Sequence, residues 1–235
     1  MNSKVPLTFV NANMKLAAVI AQYNAIITLF PRFGIALGFG DKTIREICTE
    51  NHIPLPLFLI VCNVYCQKDY TPDVETLIAC PVQDIIAYLK ASHEEYLNYN
   101  FPHIESHMNQ IVQDWDPKYK SLIIKFYTQY KEEVAQHFKF EEEEVFPYIS
   151  RLASSQPFKA KSKFSHFDKQ HGDIEDKLQD FINLLMKYIP ANTRQRDMID
   201  MLVDIFMLAE DIENHTIIED KMLIPYIKYL ENHVQ

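Results

Sequence analysis

Residues 137–152 read HFKFEEEEVFPYISRL, and residues 215–230 read HTIIEDKMLIPYIKYL. Laid one on the other, the two segments share a histidine, a glutamate at i+4, a proline at i+10, the Tyr-Ile after it and a leucine three residues further on. The shared positions are His137, Glu141 and Pro147 in the first copy, and His215, Glu219 and Pro225 in the second. Each copy also has a histidine 44 residues upstream, His93 and His171. On an α-helix, positions i and i+4 lie on one face about one turn apart, so each His-Glu pair can point into a common site. A lone His-x-x-x-Glu is ordinary on a solvated helix, where it makes a weak contact. Two copies at equal offsets from two further histidines describe an internal duplication that carries metal ligands.

The surrounding sequence reads as helix. The chain has 235 residues, 48% of them hydrophobic, and only 4 glycines. That is enough apolar material for a substantial core and too little glycine for a turn-rich sheet protein. Four long helices are expected, at about 82–113, 117–152, 164–188 and 193–231. Pro102 should kink the first, Asp116-Pro117 should start the second, and Asn192 or Thr193 should cap the fourth. ASSQPFKAKSK is the loop between the second and third. Helices of this length with short connections predict an all-α, up-down-up-down four-helix bundle over residues 81–235. His93 falls on the first helix, His137 and Glu141 on the second, His171 on the third, and His215 and Glu219 on the fourth. The equal offsets relate the two halves by a pseudo-two-fold axis and aim all six side chains at one mid-bundle cavity.

Residues 1–75 read as a separate small helical domain. A helix is expected from about 14 to 30, ending before Pro31. Gly34, Gly38 and Gly40 mark a turn, and Thr43 with Glu46 forms a capping box for a short helix. A third helix should run from Pro54 or Pro56 to about Gln67, with KDYTPDVETLIACP as the linker.

The six ligand candidates suit two iron ions. Each carboxylate can bridge two cations, one on each oxygen, and imidazoles supply the remaining neutral donors. Two bridging glutamates and two histidines give each ion four protein ligands. An oxo or hydroxo bridge would add a fifth and leave a position open for O2, NO or peroxide. Ferritin-like bundles use more glutamate and a Glu-x-x-His motif, so this histidine-rich set favours the hemerythrin-like class. Among the other histidines, His166 is the main rival on the third helix, and the 44-residue offset selects His171. His103 and His107 form an i,i+4 pair outside the repeat. His52 and His233 read as surface residues, and Glu142 to Glu144 as a solvated face.

Composition narrows the partners. A net charge of −9 disfavours nucleic acid. No stretch has the ~18 uninterrupted apolar residues of a membrane helix. The apolar run from Met14 to Phe30 follows helical spacing and lacks a signal-peptide cleavage site. Cys48, Cys62, Cys66 and Cys80 form no C-x-x-C pair and read as reduced, buried thiols, as expected of a cytoplasmic protein.

With these residues in view, the chain resembles the di-iron proteins that repair iron–sulfur clusters, the repair-of-iron-centres family. The resemblance covers about residues 80–232 in the bundle and, more weakly, about 14–65 at the N-terminus; in the bundle, HFKFEEEEVFP is similar to the family's His-x-x-x-Glu-Glu-x-x-Leu-Phe-Pro element. It implies a hemerythrin-type bundle after a small N-terminal domain, with His93, His137, His171 and His215 as terminal ligands and Glu141 and Glu219 as bridges. It further implies a role in nitrosative or oxidative stress, through iron–sulfur cluster repair or NO binding and reduction, with iron–sulfur proteins as partners. A sensor or carrier of O2 or NO, or an iron-handling protein, would use the same site. At the N-terminus, FPRFGIALGFGDKTIREICTENHIPLPLFL (30–59) is similar to the family segment that carries a Cys-Cys pair. Here Ile35 to Gly40 contain no cysteine, which leaves this domain a docking or homodimerising role.

Overall fold

A computed structural model describes residues 9–154, 167–190 and 193–233. Backbone contacts divide the chain into two compact units. One comprises residues up to Tyr88 with Ile217–Tyr226; the other comprises Leu89–Thr216 with the residues from Ile227 onward. The fold is all-α. The described residues contain no strand, only an isolated bridge between Lys15 and Thr43.

In the first unit, helices α1 (Leu16–Gln22), α2 (Phe30–Phe33), α3 (Ile44–Glu50), α4 (Leu55–Cys66) and α5 (Val74–Ile78) surround a core that includes Leu16, Ile26, Leu29, Ile44, Phe58 and Val61. The single helix expected over 14–30 is broken. Tyr23 leaves helical geometry at φ −132°, ψ 80°, and Asn24–Leu29 continues as a 3-10 segment. Pro31 does not end the helix but opens α2, because its missing N–H would have no helical partner in a first turn. Gly34 then caps α2 in the left-handed region (φ 65°), where a β-carbon would be strained. The Thr43–Glu46 capping box is fully formed. The linker between α4 and the bundle holds the short helix α5, capped by Asp73 on the Thr76 N–H. The buried Asn63 side chain accepts from the Val10 N–H and donates to the Val10 carbonyl, tying the N-terminal segment to α4. Lys221 donates to the carbonyls of Lys68 and Tyr70.

Burial pushes the thiols of Cys48 and Cys66 up to about 12 and that of Cys80 to about 11. Burial, and then its neighbours Cys66 and Cys48, also lift the Cys62 thiol well above its ordinary value. All four are free, and such thiols are poor nucleophiles at neutral pH.

The long helices follow: α6 (Val82–Glu95), α7 (Phe101–Ile111), α8 (Pro117–Phe140), α9 (Phe146–Ala153), α10 (Phe167–Tyr188), α11 (Gln195–Ile218) and α12 (Ile224–His233). Asp116 caps α8 through the Lys118 N–H, as its sequence suggests. Thr193 is not the cap of α11; its hydroxyl donates back to the Pro190 carbonyl. Asn192 and the loop proper lie outside the described residues. In the second unit α8 packs against α7 and α10. Tyr127, Tyr130, Phe181, Ile205 and Leu208 lie in its continuous apolar core. Burying each such side chain favours folding by about 1.5–3 kcal/mol.

Three prolines sit inside these long rods without ending them. Each is preceded by a five-residue π turn: Tyr96–Asn100, Glu141–Val145 and Glu219–Leu223. In each the last wide-turn bond comes from the residue just before the proline: Phe101 N–H to Tyr96, Phe146 N–H to Glu141, and Ile224 N–H to Glu219. A proline inside an α-helix loses one hydrogen bond, and its ring collides with the carbonyl four residues back. One extra residue in the turn moves that carbonyl away and lets the helix continue. Pro102 is therefore accommodated by a wide turn, and the wide turns at Pro147 and Pro225 begin on the two glutamates of the repeat.

Candidate metal centre

The six side chains singled out by the repeat are all buried. Glu141 and Glu219 are 0% exposed, and His93, His137, His171 and His215 lie between 1% and 7%. Their donor atoms converge in two overlapping groups, within 4.8 Å in each: His93, His215, Glu141 and Glu219 in one, and His137, His171, Glu141 and Glu219 in the other. Both glutamates belong to both groups. His166 lies outside the described residues.

Glu141 shows how the sharing works. One oxygen, Oε2, lies 3.2 Å from His93 Nε2. The other, Oε1, lies 3.0 Å from His137 Nε2 and 3.7 Å from His171 Nε2. The carboxylate thus turns a different oxygen to each histidine pair. His93 and His215 bring their Nε2 atoms to 3.3 Å of each other. Ligand atoms that each stand about 2.1 Å from one ion are separated by about 3 Å, so these spacings fit a metal. Burial alone would raise the Glu141 carboxyl. Hydrogen bonds from His137, His171 and His93 outweigh it and hold the group well below the usual carboxylate range. Two carboxylates buried side by side are costly unless cations or donors neutralise them, and this donor set provides for both.

Neighbouring groups orient these candidate ligands. His93 Nδ1 lies 2.8 Å from Glu142 Oε1. An ionised carboxylate only accepts, so Nδ1 carries a proton and donates it to Glu142. That N–H in turn holds the Glu142 carboxyl below its ordinary value. Its place in a run of four glutamates suggests a solvated face, but the Glu142 carboxylate lies against the His93 ring instead. The signal was present, since an acidic residue follows the glutamate in both copies, Glu142 and Asp220. Phe138 stacks on the His93 ring with centroids 4.0 Å apart and planes 8° apart. It also lies edge-on to His215 at 5.8 Å. Tyr96 stands at the place on its helix that Glu141 and Glu219 hold on theirs, six residues before the proline. It packs on His215 and donates to the Asp211 carbonyl at 3.0 Å.

Glu142→Gln should therefore keep the fold and weaken metal retention by about 10–100-fold, the usual effect of removing a group that orients a ligand. Competition with a chelator, compared with the unaltered protein, measures it.

The helical fold and this buried cluster of histidine and carboxylate define a cation-binding bundle. The family described as the hemerythrin HHE cation-binding domain matches residues 84–227, more than half of the chain. The chain belongs to that family and is a metal-binding protein. No curated protein matches it. No described helix is long and apolar enough to cross a membrane.

Proposed function

We propose that the chain holds two iron ions, one between His93 and His215 and the other between His137 and His171, with Glu141 and Glu219 bridging them. The carrying observation is that both glutamates are shared by both donor groups, with the two Glu141 oxygens turned to opposite histidine pairs. A non-haem iron pair supplies electrons and open coordination positions for a small ligand. The chain's own part is to hold the ions in a dry pocket. Near-complete burial of all six side chains excludes bulky substrates and suits a diatomic molecule, O2 or NO. Phe138 and Glu142 fix the His93 ring, so little reorganisation accompanies a change of charge at the site.

The physiological role we assign is nitrosative or oxidative stress in the cytoplasm, through binding and reduction of NO or delivery of iron to damaged iron–sulfur proteins. The element HFKFEEEEVFP supports this reading. Residues 1–75 act as a docking or homodimerising unit, since Ile35 to Gly40 carry no cysteine pair. Reversible O2 or NO carriage by the same buried pocket is the second reading. Mixing the reduced, iron-loaded protein with NO separates the two. Conversion of two NO to N2O and water with oxidation of both ferrous ions, or reactivation of a nitrosylated iron–sulfur enzyme, supports the first. Stoichiometric, fully reversible binding without either supports carriage. No optical response to NO or O2 contradicts both.

A further inference from the structure

A second set of metal-ligand side chains lies on the surface of the bundle unit, apart from the buried site. His103 and His107, one turn apart on α7, face Asp204 on α11. His103 Nε2 lies 3.3 Å and His107 Nδ1 3.1 Å from the same oxygen, Asp204 Oδ2. One donor atom from each residue lies within 4.8 Å of the others. The two rings are tilted at 51° with centroids 4.5 Å apart, so they converge without stacking. A cavity of about 90 Å³ opens beside His107, lined also by Gln110, Ile111, Asp197 and Asp200. At ~30 Å³ per water it has room for about three water molecules beside His107. Asp197, Asp200 and Asp204 recur along one face of α11. Arg194 pairs with Asp197 at 3.4 Å, which leaves Asp200 and Asp204 as the carboxylates that draw a cation to this face.

We propose that His103, His107 and Asp204 form a second metal site, which takes one divalent transition-metal ion of the zinc or ferrous type. Two imidazoles and one carboxylate on one side of an ion are a common set for such metals, with water in the remaining positions. The 3.1–3.3 Å separations are those of ligand atoms sharing an ion. Side chains that are 30% to 59% exposed make this a site in exchange with solvent, unlike the buried pair. It does not depend on what the buried pair binds.

The test titrates Zn²⁺ into full-length protein whose buried site is already loaded with iron, and follows heat and bound metal. One further zinc per chain is expected. The His103→Ala, His107→Ala double variant should bind it about 100-fold more weakly or worse, since two of three direct ligands exceed the effect of one supporting group. Its iron content and optical spectrum should match those of the unaltered protein, which shows that the fold is intact. Asp204→Asn should weaken zinc less. Absence of the extra zinc, or equal uptake by the double variant, overturns the proposal.

Discussion

Glu141→Gln should leave a folded protein that retains well under one iron per chain. The side chain keeps its volume but loses the charge that faces both histidine pairs, one oxygen 3.2 Å from His93 and the other 3.0 Å from His137. Removing a group that merely orients a ligand costs ~10–100-fold in affinity. A bridge contacts both ions directly, so its loss should exceed that and take both metals together. Glu141→Ala should do the same and add a cavity at a position that is 0% exposed. Metal analysis and the near-ultraviolet spectrum read the outcome, and circular dichroism verifies that the helices remain. Retention of two irons with an unchanged spectrum would remove Glu141 from the site.

The second large effect concerns stability. Phe138→Ala should destabilise the protein by about 3–5 kcal/mol, the usual cost of truncating a buried phenylalanine. In a chain of this length that lowers the melting temperature by roughly 10 °C. Phe138 is 4% exposed and touches His93, Tyr96 and His215 at once. The loss should appear with metal removed, because packing against Tyr96 and the imidazole rings does not require an ion. Thermal denaturation of the metal-free variant measures it, and a change below about 1 kcal/mol would show that the neighbouring side chains refill the space.

The convergence of the duplicated His and Glu positions was legible because helical periodicity turns spacing into a shared face. Two copies at a 44-residue offset then tie four helices to one place. The helix starts at Thr43 and Asp116 were legible because capping is local chemistry. What escaped depends on the third dimension or on backbone detail. The wide turns before Pro102, Pro147 and Pro225 leave only a faint trace, an aromatic or aliphatic residue before each proline, and Tyr96 hides the third instance by standing where the other copies have glutamate. Glu142 looked solvated because it sits among three other glutamates. Its contact with His93 comes from another helix, 49 residues away in sequence. The break at Tyr23 escaped because the apolar spacing from Met14 to Phe30 continues across it while the backbone does not.

The most direct test of the central claim is the metal content of full-length protein produced in iron-rich medium, combined with Mössbauer spectroscopy. Shared glutamate ligands predict two irons per chain, magnetically coupled through their bridges. One iron per chain, or two that behave as independent ions, would contradict the account.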